Sequence, residues 1–270
     1  MGGPAAARAN RRRGRLSEPV KGLVGFLIVG LVWQFAAILG FMPPAYFPSA
    51  TAVLGYALTL VVQPVFLSHV VETLASMLLG LLIAAALAVP LGVLLGRFPV
   101  AYRLANTLVE AMRPIPALAL TPVAILVFGL TSATTVSLVV WTASWPILIN
   151  SVYGMHSVDR VALETARSFG FGRWQLIYRV ALPSAAPFIA TGIRIAIGIG
   201  LAVTVATEMI TGAGNGIGAW VVVASSGGSL LPVYAAAVLV GLLGYLLNYA
   251  FERLERRVFA WHHSFRGEGV

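Results

Sequence analysis

Few side chains in this sequence are of types that carry out chemistry, and those few are scattered. Cysteine is absent from the 270 residues, which excludes disulfides, thiol catalysis and thiolate metal sites. The four histidines lack the i, i+4 spacing of a helical metal site; they are His69, His156, His262 and His263. The single lysine, Lys21, does not lie in a Gly-x-x-x-x-Gly-Lys-Ser/Thr phosphate loop. We therefore expect no catalytic site, no metal site and no ATP hydrolysis by this chain.

Four isolated charges in long apolar stretches are the remaining candidates: Glu110, Arg113, Arg194 and Glu208. Charges at membrane depth are costly and usually face protein or water, so each is a candidate for lining or gating a path through a membrane. Glu110 and Arg113 are three residues apart, and we expect them to pair on one helical face.

Arg194 and Glu208 lie about 21 Å apart along a straight helix, so each needs another partner. Glu208 could mark an outer gate, and Arg194 could face an anionic substrate or a carbonyl group at an inner gate. Purely structural roles are equally open for both.

The composition indicates the solvent in which these charges lie. Apolar residues make up 59% of the chain and charged residues 10%, and the mean hydropathy is +0.91. Too few polar side chains remain to coat a soluble globule, so a lipid bilayer is the expected solvent. The formal charge of +9 is more typical of cytoplasmic helix ends than of a nucleic-acid interface.

Uncharged windows of about 20 residues predict an all-α protein with six transmembrane helices. The windows cover residues 22–42 and 73–96, two spans within 113–159 that are divided by a turn at 129–134, and residues 187–210 and 232–251. We expect a domain order of basic tail 1–21, membrane domain 22–252 and second tail 253–270. The long connection 43–69 is expected to hold a short helix at the outer interface.

The basic residues predict the orientation. If the N-terminus is cytoplasmic, the outer segments 43–71, 130–134 and 211–231 contain no Lys or Arg. Sixteen of the eighteen basic residues then fall in inner segments, and Arg113 and Arg194 are the exceptions. This asymmetry predicts that both termini are cytoplasmic.

A polar inner loop, residues 155–186, has the pattern of two short helices. Ser157 or Asp159 can cap the first, and Gly170 and Gly172 supply its stop. A second helix is expected at residues 173–180, before Pro183. Such a pair can seat in a groove of another protein and transmit a push, although a solvated connecting loop is an equal alternative on pattern alone.

The loop resembles the signature of permease subunits in bacterial ATP-binding-cassette importers. That signature is Glu-Ala-Ala, a glycine after three residues, and Ile-x-Leu-Pro nine residues later. The matching residues here are Glu164, Thr165, Ala166, Gly170, Val180, Leu182 and Pro183. Thr165 and Val180 depart from the pattern by small, conservative changes.

Two further segments resemble the nitrate, sulfonate and taurine branch of these type I importers. They are residues 113–116, Arg-Pro-Ile-Pro, and residues 206–209, Ala-Thr-Glu-Met. The resemblance implies a coupling helix between helices 4 and 5, a homodimer of permeases, an ATPase dimer that holds ATP and magnesium, and an extracytoplasmic binding protein. It places the chain in the bacterial inner membrane as an importer of a small oxyanion.

Other patterns are ambiguous. An aromatic and hydroxyl lining could be formed by Trp141, Trp145 and Pro146, with Thr142 and Ser144 between them, but packing between helices is the favoured interpretation. The glycine-rich run 212–218 is expected to be a flexible outer loop.

A secondary transporter or channel without an ATPase is the main alternative function, although internal repeats and an acidic relay are not evident. A membrane-embedded enzyme is least favoured, because the charges are isolated.

Overall fold

The structure is a computed structural model that describes residues 18–40, 42–212 and 215–259. Regular secondary structure in these residues is helical. The α-helices in chain order are α1 (Glu18–Ile38), α2 (Ala50–Val61), α3 (Pro64–Arg97), α4 (Pro99–Met112), α5 (Thr121–Phe128), α6 (Ser132–His156), α7 (Arg160–Ser168), α8 (Arg173–Leu176), α9 (Leu182–Thr211), α10 (Ile217–Ser225) and α11 (Leu231–Val258). A 3₁₀ turn covers Ala117–Leu120 and a π-helical turn covers Ile177–Ala181. Most of both predicted tails, with His262 and His263, lies outside the described residues.

Within the described residues, four helices are long and apolar enough to cross a bilayer: α3, α6, the continuous stretch Arg173–Thr211, and α11. The pair Pro99–Met112 and Ala117–Phe128 passes the same test together but bends by 81°. Counting this pair as one span gives five. The apolar part of α1, Val24–Ile38, is shorter, so the sixth span remains a prediction.

The third predicted span is interrupted by a sharp bend. We expected it to begin near Arg113, but α4 starts at Pro99, and Arg113 is the C-terminal cap of α4. Pro114 and Pro116 follow, and neither residue has the backbone N–H that would continue the helix. The chain therefore turns at residues 113–116, within the segment that sequence length assigned to the third span.

α3 and α6 pack closely through glycines, where an added Cβ would meet the neighbouring helix at 2.5–2.7 Å. The pairs are Gly80 with Val139, Gly92 with Ser151, and Gly96 with Met155. The same offset of 59 positions separates all three pairs, so the two helices run parallel. The bent pair α4 and α5 lies between α3 and α6 in the chain, so it must bring the chain back to the end of the bundle at which α3 begins.

α6 and α9 pack antiparallel. Gly154, late in α6, faces Ala185, early in α9, and Gly192 lies against the carbonyl oxygen of Pro146. The largest apolar cluster fills the space between α3, α6 and α9, with Ala84, Ala143, Ile147 and Ala196 fully or almost fully buried. These three helices form the rigid centre of the protein.

A second apolar cluster closes the end of the bundle at which α2 and α10 lie. It includes Val53, Leu60, Phe66, Ile217 and Ala235. The helix α2 confirms the short helix expected in residues 43–69. The presence of α10 was not predicted: the stretch after Thr211 contains a packed helix where a flexible loop was expected.

Candidate functional site

The pair α7 and α8 is largely exposed to solvent. Asp159 caps α7, and its Oδ1 accepts a 2.8 Å hydrogen bond from the N–H of Val161. This satisfies one of the free donors at the helix start. None of the residues of α7 is fully buried. The cap lets a nine-residue helix exist with very little packing against the rest of the chain.

Gly170 turns the chain between the two helices. Its φ is +80°, in the left-handed region that glycine adopts without strain. The N–H of Gly170 donates to the carbonyl of Arg167 at 2.9 Å, and that of Phe171 donates to Ala166 at 3.1 Å, which ends α7 in the usual manner of a glycine stop. A Cβ added at Gly170 would have no neighbour within 4 Å. The turn therefore projects into open space.

An apolar face of this pair is left uncovered. The exposed fractions are 67% for Val161, 79% for Phe169 and 65% for Trp174. On the opposite side, Leu163 packs against the buried cluster that contains Met155, Val158 and Ala181. Clustered exposed aromatic residues away from the membrane spans are typical of a protein interface.

The residues of the predicted loop signature divide between this surface and its base. Glu164, Thr165 and Gly170 are exposed, and Ala166 is half-buried. Leu182 is half-buried as the first residue of α9, and Pro183 follows it. Pro183 has no backbone N–H and so cannot donate a hydrogen bond to the preceding turn. The π-helical turn before α9 accommodates this missing bond.

The second loop helix differs from its prediction. We expected a separate helix at residues 173–180 that ends before Pro183, with a membrane span from residue 187. Helical structure instead continues from Arg173 to Thr211 as one 39-residue stretch. The surface around Gly170 is thus joined directly to the long helix through the bundle, with no flexible linker between them.

Glu208 is held by a buried hydrogen-bond network. Its side chain is 3% exposed, and Oε2 accepts bonds from the hydroxyl of Thr73 at 2.9 Å and from the N–H of Gly218 at 3.0 Å. The Thr73 hydroxyl in turn accepts a 2.8 Å bond from the N–H of Ile217. The carboxylate and the hydroxyl therefore cap the N-terminus of α10, where a negative group is favourable.

Arg194 pairs with Glu255 of α11. The two side chains are 38% and 14% exposed, so the ion pair is partly shielded from solvent. It ties the first half of α9 to the last turn of α11. Sequence spacing correctly excluded a pair between Arg194 and Glu208, but it did not identify the partner.

Glu110 and Arg113 were expected to pair with each other. The carboxylate of Glu110 instead accepts a 2.8 Å hydrogen bond from the amide of Asn106, one turn earlier. A Glu110–Arg113 ion pair is not found among the described residues. Arg113 is the C-terminal cap of this helix, and the chain bends directly after it.

Histidine and carboxylate side chains do not cluster. No group of three or more that could hold a metal ion is found among the residues that the structure describes. His69 lies beside Glu72 in sequence, and its ring nitrogen Nδ1 is hydrogen-bonded to the carbonyl of Asn215. This contact fastens the segment before α10 to α3.

Residues 88–260 match the family model described as the binding-protein-dependent transport system inner membrane component. The chain belongs to this permease family. Its members are multi-pass inner membrane proteins, and this chain accordingly is a membrane-spanning permease of an ATP-binding-cassette importer.

Curated permeases support the same assignment over nearly the whole chain. The taurine transport system permease protein TauC of Escherichia coli is 31% identical, with 95% of both chains aligned. The putative aliphatic sulfonates transport permease SsuC of Bacillus subtilis is 28% identical over 92% of this chain and 90% of its own. A nitrate import permease NrtB of Leptolyngbya laminosa is 33% identical over 67% and 64%.

The fold agrees with that of a solved transporter. A chain of the MetNI methionine ABC transporter in an inward-facing conformation superposes with a TM-score of 0.64 and 22% identity, covering 72% of this permease and 96% of that chain. Identity at this level shows a common fold only. The resemblance inferred from the loop signature is thus confirmed at the level of the family and of the fold.

Some residues that organise this permease were missed by sequence reasoning. Thr73, Ile217 and Gly218 complete the Glu208 network, and Glu255 neutralises Arg194. The sequence did contain a signal for the Glu208 network. Gly216 and Gly218 follow Glu208 at eight and ten residues, and this spacing allows the chain to turn back onto the carboxylate. The partner of Arg194, 61 residues away, had no local signal.

Proposed function

We propose that this permease forms, with a second copy of itself, the membrane path of an importer for a small oxyanion such as a sulfonate, taurine or nitrate. An extracytoplasmic binding protein delivers the solute, and a pair of separate ATPase subunits holds ATP and magnesium. The permease itself performs no chemistry. Support for the substrate class comes from the taurine, sulfonate and nitrate permeases to which the chain is similar.

One observation carries the coupling proposal: the exposed pair α7 and α8 is continuous with α9. Glu164, Thr165, Ala166 and Gly170 lie on a surface whose aromatic residues Phe169 and Trp174 are exposed, and Leu182 and Pro183 form its base. A force applied to the Gly170 turn passes into a 39-residue helical stretch. Packed helices transmit such a push as a rigid shift.

We propose six spans with both termini cytoplasmic. α1 supplies the first span, and the bent pair α4 and α5 supplies the third. The parallel packing of α3 and α6 supports this count, because the segment between them must cross the bundle. The coupling loop then lies on the same side as the arginine-rich ends, as the charge asymmetry predicts.

The four intramembrane charges receive different roles in this proposal. Glu208 fixes α9 to α3 and α10 at the outer end, where a gate would operate. Arg194, paired with Glu255, holds the inner ends of α9 and α11 together. Glu110 and Arg113 stand at the bend between α4 and α5, and both line one groove with Tyr102 and Asn106.

Recovery of the ATPase with tagged permease tests the coupling surface. Gly170→Arg places a long side chain on the proposed interface, and Gly228→Arg is a matched control. Gly228 has a φ of +79°, is exposed and, like Gly170, would bring an added Cβ within 4 Å of nothing. The backbone strain is thus equal, and only the location differs.

We expect wild type and Gly228→Arg to retain a stoichiometric ATPase in mild detergent, and Gly170→Arg to lose it. Partners would be identified by mass spectrometry of the purified sample. Loss of the ATPase in both variants, or in neither, would contradict the coupling role of the Gly170 turn. A wild-type permease that purifies alone and transports without ATP would support a secondary transporter instead.

A further inference from the structure

A groove of about 610 Å³ runs between the α4–α5 bend, α6 and α9. Arg113, Pro114 and Pro116 line one wall, Trp141 and Trp145 line the second, and residues of α9 from Ile195 to Val203 line the third. Trp141 and Trp145 lie about halfway along the 25-residue helix α6. The groove therefore reaches the middle of the bundle.

The charge of the groove is positive. Arg113 is the one ionisable side chain among its described lining residues. Glu110 lines the neighbouring groove, which Arg113 also borders, and its carboxylate is already bonded to Asn106. A cation with no carboxylate in the same wall attracts anions.

Three hydrogen-bond donors beside this groove have no partner among the residues that the structure describes. They are the indole N–H groups of Trp141 and Trp145 and the hydroxyl of Thr142, and all three polar atoms are shielded from water. Buried donors are almost always paired, so an unpaired set needs an explanation. Each unpaired group costs roughly as much as a lost hydrogen bond.

Other polar side chains on α6 do not share this property. Ser144 donates to the carbonyl of Val140 at 2.7 Å, Asn150 to Pro146 at 2.8 Å, and Ser151 to Ile147 at 2.7 Å. Each is satisfied by the preceding turn of its own helix. Thr142, with the same option available, lacks that bond.

Packing between the two indoles does not account for the pattern. Trp141 and Trp145 form an edge-to-face pair with ring centroids 5.2 Å apart and planes at 84°. In this arrangement the edge of one ring meets the face of the other, so an aromatic face can satisfy at most one of the two N–H groups. At least one indole and the Thr142 hydroxyl still need an acceptor.

We propose that Trp141, Thr142 and Trp145 form a transient subsite for the oxyanion on its way through the membrane, with Arg113 as the attracting charge. The subsite rests on the proposed import of an oxyanion. Sulfonate and nitrate present several acceptor oxygens and no acidic proton, which matches two indole N–H donors, a hydroxyl that can donate, and a cation. The donors are covered in this state, so the anion binds them when the bend at residues 113–116 moves away from α6.

Uptake kinetics of the complete transport complex in proteoliposomes test the subsite. The complex contains permease, ATPase and binding protein, and the probes are taurine, ethanesulfonate and nitrate. Trp141→Phe and Trp145→Phe keep the aromatic ring but remove the N–H. Thr142→Val removes the hydroxyl, and Thr142→Ser restores it. Trp220→Phe, which packs on Phe66 outside the groove, is the control for the loss of an indole.

We expect each variant that lacks a donor to lower the uptake efficiency by about tenfold or more, the size typical of one lost hydrogen bond to a charged group. Thr142→Ser should recover the uptake that Thr142→Val loses, and Trp220→Phe should retain wild-type uptake. The donor variants should not lower the thermal unfolding midpoint, because the groups that they remove are unpaired in this state. Unaltered uptake in all three donor variants, beside active wild type, would overturn the subsite alone.

A second outcome would contradict the proposed function as well as the subsite. Wild-type complex that imports none of the three compounds would overturn both the oxyanion class and the subsite. ATPase recovery with Gly170→Arg and Gly228→Arg would still decide the coupling proposal separately. A fall in the unfolding midpoint of the Trp→Phe variants with unchanged uptake would assign the indoles to packing.

Discussion

Thr73 of α3 donates a 2.9 Å hydrogen bond to the carboxylate of Glu208 in α9, and both side chains are buried. The same hydroxyl accepts from the backbone of Ile217 at 2.8 Å, so one threonine joins three helices. Helices that cross in a membrane gain little from the hydrophobic effect, and such polar contacts then fix their arrangement. This junction therefore fixes the relative positions of α3, α9 and α10.

Thr73→Val should destabilise the junction. The substitution keeps the shape of the side chain but leaves the Ile217 N–H without its acceptor and removes one donor from Glu208. Each buried group left unpaired costs about 1–3 kcal/mol. We expect a lower thermal unfolding midpoint in detergent, whereas Thr73→Ser should match wild type. Equal unfolding midpoints for Thr73→Val and Thr73→Ser would show that the Thr73 hydroxyl does not stabilise the junction.

Gly216→Ala should disturb the same junction from the opposite side. An added Cβ there would overlap the carboxylate of Glu208, which must shift and lose its geometry. Gly227→Ala, in the next loop, would meet nothing within 4 Å. We expect a clear loss of stability for the first and a change within about 0.5 kcal/mol for the second. Comparable losses for both would indicate that the segment before α10 is not packed on Glu208.

Glu255→Gln should weaken the tie between α9 and α11, because it leaves the Arg194 charge without its partner in a partly shielded site. Glu252→Gln is the matched control on the same helix. Glu252 pairs with Arg256 one turn away, and those side chains are 39% and 68% exposed, so that pair contributes little. We expect a lower unfolding midpoint for Glu255→Gln only. Equal effects of the two substitutions would mean that the interhelical pair stabilises the protein no more than the exposed pair on α11 does.

Single introduced cysteines can test the orientation, since the chain has none of its own. We propose that Phe169 faces the cytoplasm and that Ser226, between α10 and α11, faces outward; both residues are exposed. An impermeant maleimide added to spheroplasts should label Ser226→Cys at once and Phe169→Cys only after lysis. The reverse pattern would invert the topology, and labelling of both from outside would exclude an odd number of crossings between them.

Sequence reasoning predicted the helical spans well where length and charge decide them. The turn near Gly129 and the glycine stop at Gly170 are present as expected, with φ values of +72° and +80°. Both follow from local chemistry, since glycine adopts this conformation without strain. The loop signature predicted the family correctly, because its residues are close together in the chain.

Features that depend on distant contacts were not predictable in the same way. The partner of Arg194 is 61 residues away, and Thr73 is 135 residues from Glu208. The bend at residues 113–116 had a local signal in Pro114 and Pro116, but composition alone does not tell a kinked span from a broken one. The glycines at 216 and 218 were interpreted as flexible, although here they allow close packing.

Cross-linking from the coupling loop tests the central claim most directly. Phe169→Cys, in the otherwise cysteine-free permease, would carry a photoactivatable maleimide in membranes that contain the whole transport complex, with Ser226→Cys as the control. We expect the Phe169 probe to form a covalent product with the ATPase, in a yield that changes when ATP and magnesium are added, and the Ser226 probe to form none. No ATPase product from Phe169, or equal products from both positions, would contradict a permease that is driven through its α7–α8 surface.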